Sequence, residues 1–292
     1  MRIGVLLIPT DPWDETVSAA QRLESLGYDH VWVYDHLTWR HYQDLPWHAT
    51  YPWLAGLAAS TQRIRLGTMV SNLNIRHPLT LAKDAMTIDH ISSGRITLGL
   101  GAGGGGFDAT VLGQPPFTPT QRIDRLSEAA YLLDGLLTGA IQNHAGTFYE
   151  LNEARLLPGC IQNPRLPIAI AAGGRRALRI AAEHADAWIT FGDTSGNDLS
   201  SDGTEHIVAQ QARRFEDHCI EFGRDPSAID RIYLIGNTEA RPLASLAAFE
   251  DFVGRYTELG FTDLVFHMPR DDNPAWDDPP AIVAAIADRF LG

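Results

Sequence analysis

Runs of strand length and runs of helix length alternate along the whole of this 292-residue chain, and that alternation limits its fold more than any other feature. Apolar runs at 3–8, 30–34, 64–70, 96–100, 168–172, 187–191, 232–235 and 263–267 suit strands buried on both faces. Between them, segments 14–26, 52–61, 78–91, 122–137, 175–184, 205–222, 246–259 and 281–291 read as helices, with apolar residues recurring at helical spacing. The punctuation agrees. Gly27 follows the first helix, and Pro78 opens the third, where a missing N–H costs nothing. Such alternation means parallel strands joined by helical crossovers. Eight units favour one closed (β/α)8 TIM barrel over residues 1–292, with insertions after strands four to six; an open doubly wound sheet is the alternative. Residues 138–166 read as an insertion with a short hairpin near 148–151, and the polar, glycine-rich stretch 192–203 has the composition of a mobile loop.

Charge and cysteine use narrow the function. A net charge of −13 argues against nucleic acid and against an anionic membrane as partners. No apolar run approaches membrane-spanning length, and the apolar N-terminus is short and lacks a cleavage pattern. Cys160 and Cys219 form no Cys-x-x-Cys pair. Together these features predict a soluble cytoplasmic protein. Lys83 is the one lysine against 22 arginines, so an anion site must use arginine or backbone N–H groups. The eleven histidines are dispersed, with no His-x-His pair at the end of the first strand, so no catalytic metal is expected.

In a barrel, chemistry gathers at the C-terminal ends of the strands. The fourth strand ends in a glycine run, Gly99, Gly101 and then Gly103 to Gly106. Without Cβ atoms, such backbone can come close to a flat or anionic ligand, or can simply pack tightly in the barrel. It is no dinucleotide fingerprint, because no helix pattern follows directly. After the second strand, Asp35 and His36 precede Trp39, in a loop rich in Trp and Tyr. His36 is the candidate acid or base, with Asp35 orienting or charging it; the plainer reading is a histidine that caps a loop. Met69, Val70 and Ser71 end the third strand. Gly173, Gly174, Arg175 and Arg176 open the helix after the fifth, where backbone N–H groups and guanidinium charge suit a phosphate. His267 ends the eighth strand, with Arg270 close behind, and could line the mouth or bind an anion.

Read in order, these pieces resemble the bacterial luciferase-like flavin and deazaflavin oxidoreductases. The resemblance rests on Tyr34-Asp-His-Leu-Thr-Trp39, Ile64-Arg-Leu-Gly-Thr68, Arg76-His-Pro78, Asp89-His-Ile-Ser-Ser-Gly-Arg95 and Leu98-Gly-Leu-Gly-Ala-Gly103. It continues through Arg122-x-x-Arg125-x-x-Glu128, Pro167-Ile-Ala-Ile-Ala-Ala-Gly-Gly174 and Ala181-Ala-Glu-His-Ala-Asp-Ala-Trp188. It covers residues 1 to about 191 well and the remainder loosely. It implies a TIM barrel holding coenzyme F420, or alternatively FMN, in its mouth. Met69-Val70 would form a non-proline cis peptide behind the ring, with Ser71 beside it. Gly101, Ala102 and Gly103 would lie along the ring, and Gly173, Gly174 and Arg175 would hold the phosphate. Asp35 and His36 would handle the proton, and Trp39 and His267 would border a small-molecule substrate.

The implied activity is hydride transfer between F420 and a small organic substrate. An FMN-dependent monooxygenase fed by a separate flavin reductase is the alternative, and a barrel that binds flavin or a metabolite without catalysis is a third. A homodimer is expected by the same resemblance. One departure bears on the substrate: the deazaflavin sugar-phosphate dehydrogenases carry a glutamate after the fourth-strand glycines, where this chain has Gly104 and its nearest acid is Asp108. The all-glycine loop 103–106 could flex as part of a lid.

Overall fold

The computed structural model describes residues 1–192, 200–236 and 241–292, excepting the side chains of His41, Ser201 and Asp202. Eight parallel strands are present: β1 (Arg2–Leu7), β2 (His30–Val33), β3 (Arg65–Thr68), β4 (Ile96–Gly101), β5 (Ile168–Ala171), β6 (Ala187–Thr190), β7 (Asp230–Leu234) and β8 (Asp263–His267). Each pairs with the next, β8 pairs with β1, and the sheet closes on itself. The helices between them are α1 (Trp13–Ser25), α2 (Thr50–Ser60), α3 (Pro78–Ser92), α4 (Pro119–Leu137), α5 (Arg175–His184), α6 (Ser201–Glu221), α7 (Leu246–Glu258) and α8 (Ala281–Phe290). The closed barrel is therefore the architecture, and the open doubly wound sheet is not.

Side chains alternate across each strand, and the two faces build two cores. Ile3, Val5 and Leu7 join the layer under the helices, whereas Leu6 and Ile8 join the barrel interior with Trp32, Met69, Ala169, Ile189, Leu234 and Val265. The Met69–Val70 peptide bond is cis; the register of β3 with β2 runs to Thr68, and pairing with β4 is taken up again over Ser71–Asn72. Long connections follow β4 and β6 and separate α4 from β5, whereas β5 reaches α5 through residues 172–174 alone. The expected hairpin pairs His144–Ala145 with Glu150–Leu151. Glu128 anchors it, its carboxylate accepting from the backbone N–H groups of Thr147, Phe148 and Tyr149 and bonding His144. Within the loop expected at 192–203, residues 193–199 lie outside the described residues, and Ser201 already belongs to α6. No described helix is long and apolar enough to cross a membrane.

The barrel floor is polar. His30 points inward where Gly4 makes room, since a Cβ at Gly4 would stand 1.8 Å from the imidazole Nδ1. Trp32 Nε1 donates to that nitrogen at 2.6 Å, so Nε2 donates to Asp263 Oδ1 at 2.9 Å. Arg2 and Thr262 also bond the Asp263 carboxylate. Burial alone would push the Asp263 carboxyl up, but the hydrogen bonds it accepts, from His30 first and then Arg2 and Thr262, outweigh it and leave it below its ordinary value. A carboxyl depressed by folding stabilises the protein above its unfolded pKa, about 4, and that contribution is lost as pH falls through and below this value. Denaturant midpoints measured down through this range should therefore fall steeply for the native protein and less steeply for Asp263→Asn. Parallel curves would show that Asp263 does not carry the acid sensitivity.

Candidate active site

The C-terminal ends of β2, β3, β4 and β8 converge on one aromatic mouth. His36, just past β2, keeps a quarter of its side chain exposed. Its ring stacks on Trp39, with centroids 5.8 Å apart and planes 21° apart, and meets Trp47 edge-on. Trp39 in turn lies parallel to Trp276 at 6.0 Å, and Trp276 stacks on His267 at 4.2 Å. Tyr34 closes the circle, its hydroxyl 2.6 Å from His267 Nε2. Burial pushes the His267 imidazole down to about 3, so it stays neutral where it meets the Tyr34 hydroxyl. His267 is thus a wall held from within, stacked under Trp276. Trp276 carries no motif and was invisible in the sequence.

His36 does not pair with its neighbour in the chain. Its Nδ1 lies 2.6 Å from Asp108 Oδ2, in the short 3-10 turn Phe107–Ala109 after β4. Asp108 is buried and also accepts from the Leu37 N–H at 3.1 Å and from Asn72 Nδ2 at 2.9 Å. Asp35 is fully buried and turned away, bound by Arg76 through Nε at 3.0 Å and Nη2 at 2.7 Å and by the Asn72 N–H at 3.1 Å. The expectation that Asp35 orients His36 is therefore corrected: Asp35 anchors Arg76 and the residue that follows the cis bulge.

The glycines divide into two groups. A Cβ at Gly99 would lie 1.7 Å from the Thr68 carbonyl oxygen, and one at Gly101 would lie 2.4 Å from Val70. These two clear the bulge of the third strand, which is the tight-packing reading of the run. Gly103 has φ +76° and sits against Asn72 and Asn74, whereas Gly104, Gly105 and Gly106 meet nothing within 4 Å. Val70 is half-buried against the barrel-interior cluster that contains buried Met69, and half-buried Ala102 packs against the layer under the helices. The Ser71 hydroxyl is taken up internally by Tyr51 Oη at 2.6 Å and Thr68 Oγ1 at 2.8 Å.

At β5, Gly174 caps α5 with no side-chain hydrogen bond, and a Cβ there would touch nothing. Arg175 is exposed and has no ion-pair partner among the described residues, whereas Arg176 is bound by Asp124. Arg270, offered as an anion ligand, is bridged by Asp11 and Asp272, and the desolvation it suffers is outweighed by these partners, which raise its pKa. The described residues hold no group of three or more His, Cys, Asp or Glu able to hold a metal ion.

A sequence profile described as luciferase-like monooxygenase matches residues 1–287. The F420-dependent glucose-6-phosphate dehydrogenase of Beutenbergia cavernae is 30% identical over 297 residues, with 87% of each chain covered. The 4-hydroxyprotoasukamycin monooxygenase of Streptomyces nodosus subsp. asukaensis is 31% identical over 241 residues, covering 78% of this chain and 61% of that one. Among solved structures, an F420-dependent secondary alcohol dehydrogenase in complex with an F420-acetone adduct superposes with a TM-score of 0.81 at 17% identity, covering 98% of this chain and 97% of that one. Its likeness extends to the barrel as a whole. With the cis bulge, the glycine strand and the histidine mouth in place along a match from residue 1 to 287, the chain belongs to the luciferase-like monooxygenase family of enzymes.

Proposed function

We propose that this protein is an oxidoreductase that works with the deazaflavin coenzyme F420 on a small, uncharged organic substrate held in the barrel mouth. The observation that carries the reading is His36: a partly exposed imidazole, fixed through Nδ1 by a buried carboxylate, standing among aromatic walls at the strand ends. Support for the coenzyme comes from the 30% identical F420-dependent relative.

The residues present fit the group. The open N-terminus of α5 at Gly173 and Gly174, with Arg175, which has no ion-pair partner among the described residues, has the donor chemistry of a phosphate cradle. Val70, packed on the interior cluster with Met69, and half-buried Ala102 each leave apolar surface for a ring at the strand ends. When bound, the deazaflavin supplies hydride transfer. The protein's own residues do the rest: Trp39, Trp47 and Trp276 exclude water and orient the substrate, and His36 gives or takes the proton that accompanies the hydride.

The aromatic walls suit an uncharged or partly apolar substrate, with Arg40, exposed over the Trp39 ring at 4.2 Å, the cation beside them. Arg76 is neutralised by Asp35, Arg270 by Asp11 and Asp272, and Lys83 bonds the Leu157 carbonyl elsewhere. Secondary alcohols and the corresponding ketones are the first substrates to test.

An FMN-dependent monooxygenase, fed by a reductase, is the second reading, favoured by the 31% identical monooxygenase relative. Titrating cofactor-free protein with F420 and with FMN separates the two. We expect F420 to bind at least about tenfold more tightly, a difference of about 1.4 kcal/mol. Tighter binding of FMN, with oxygen consumed on addition of reduced flavin, would replace this reading by the second. Binding of neither would remove both.

A further inference from the structure

We propose that Asp108 is the positioning residue of the site, holding the His36 proton on Nδ1 so that Nε2 is the atom that exchanges a proton with the substrate. The proposal rests on the functional reading above and deepens it.

The hydrogen-bond network decides which nitrogen carries the proton. Asn72 Oδ1 accepts the Asn74 N–H at 3.0 Å, which fixes the orientation of that amide and aims Nδ2 at Asp108. Asp108 therefore receives an N–H from Asn72 and another from Leu37, an environment that suits an ionised carboxylate. A carboxylate can only accept, so the 2.6 Å contact requires the hydrogen on His36 Nδ1. In the neutral ring this leaves the lone pair on Nε2.

Asp35 reaches His36 through hydrogen bonds only by way of Asn72 and then Asp108. Its two oxygens are spent on Arg76 and the Asn72 N–H, and through Asn72 it supports the amide that steadies Asp108. Asp108 is delivered by the loop through Gly104 to Gly106, exposed residues that lead straight into the turn bearing it. The short polar residue after the glycines thus supplies the carboxylate that the mouth's histidine uses.

In alcohol oxidation the substrate O–H bond breaks, its proton passes to Nε2 and its electron pair forms the second C–O bond. The carbinol C–H bond would break with its electron pair leaving as hydride, which bound F420 would accept, and the resulting His36 imidazolium would stand against the Asp108 carboxylate. In the reverse direction Nε2–H returns the proton to the oxygen.

The test reads the tautomer directly. Histidine-selective 15N NMR of the coenzyme-free protein, titrated upward in pH and read on the alkaline plateau where the shifts stop changing, samples the neutral ring; His36 is assigned by the loss of its signals in His36→Gln. We expect Nδ1 protonated and Nε2 unprotonated in the native protein, and a mixture of tautomers in the isosteric Asp108→Asn. With any substrate the native enzyme accepts, Asp108→Asn should lower kcat by between about tenfold and about 10⁴-fold, the upper figure being that of tautomer loss in Ser-His-Asp triads. KM and the F420 Kd should stay unchanged. A native ring protonated at Nε2, or an Asp108→Asn protein with native tautomer and native kcat, overturns the proposal. Should F420 fail to bind, the functional reading falls while the tautomer result stands on its own.

Discussion

Replacing His36 with glutamine should lower turnover by about 10²–10⁴-fold, the usual share of a positioned general acid or base, and leave the affinity for F420 unchanged. Glutamine is close to histidine in length and keeps an N–H for Asp108, so the buried carboxylate retains a donor. What it lacks is a group that can take up and release a proton. The coenzyme fit rests on Val70, Ala102 and the α5 N-terminus, none of which touches His36 in the hydrogen-bond network. Binding and turnover should therefore separate. The measurement is stopped-flow F420 reduction or oxidation beside an equilibrium titration of the same protein. Native turnover in His36→Gln would remove the proton role, and a parallel loss of F420 binding would mean that the imidazole serves binding instead.

The second large effect concerns stability. Gly99→Ala should destabilise the barrel by more than the ~1–3 kcal/mol usual for overpacking. Its Cβ would fall 1.7 Å from the Thr68 carbonyl oxygen, a backbone atom held in place because the Thr68 hydroxyl also bonds Gly99 N and O. No side-chain rotation relieves that overlap; β3 or β4 must shift. Gly105→Ala is the control in the same glycine run. Nothing stands within 4 Å of its Cβ position, and its φ is not positive, so a change within about 0.5 kcal/mol is expected. Urea unfolding of the two variants compares them directly. Equal midpoints would show that the run is uniform and that the bulge does not require Gly99.

Much of this contrast was hidden in the sequence. The glycine run reads as one feature, yet Gly99 and Gly101 answer to the bulge while Gly104 to Gly106 face open space. The Asp35–His36 pair misled for a related reason. Successive residues leaving a strand point to opposite sides, so the acid next to His36 in the chain faces Arg76, and the acid that meets it stands 72 positions away. Arg270 likewise offers a charge in the sequence that Asp11 and Asp272 occupy in the fold. Trp276, which stacks between His267 and Trp39, lies in a loop with no periodicity to single it out.

The sequence by itself determined the eight alternating strand–helix units, their order, and the strand end on which His36 stands, because these follow from local periodicity, caps and the rule that chemistry sits at strand C-termini, whereas closure of the sheet into a barrel is seen only in the fold. Only the tertiary structure decided which carboxylate serves His36, which glycines are sterically required and which arginines are taken by carboxylates. Each of those depends on groups far apart in the chain arriving within hydrogen-bond or van der Waals distance, and such distances are set by how the strands and loops close around the mouth.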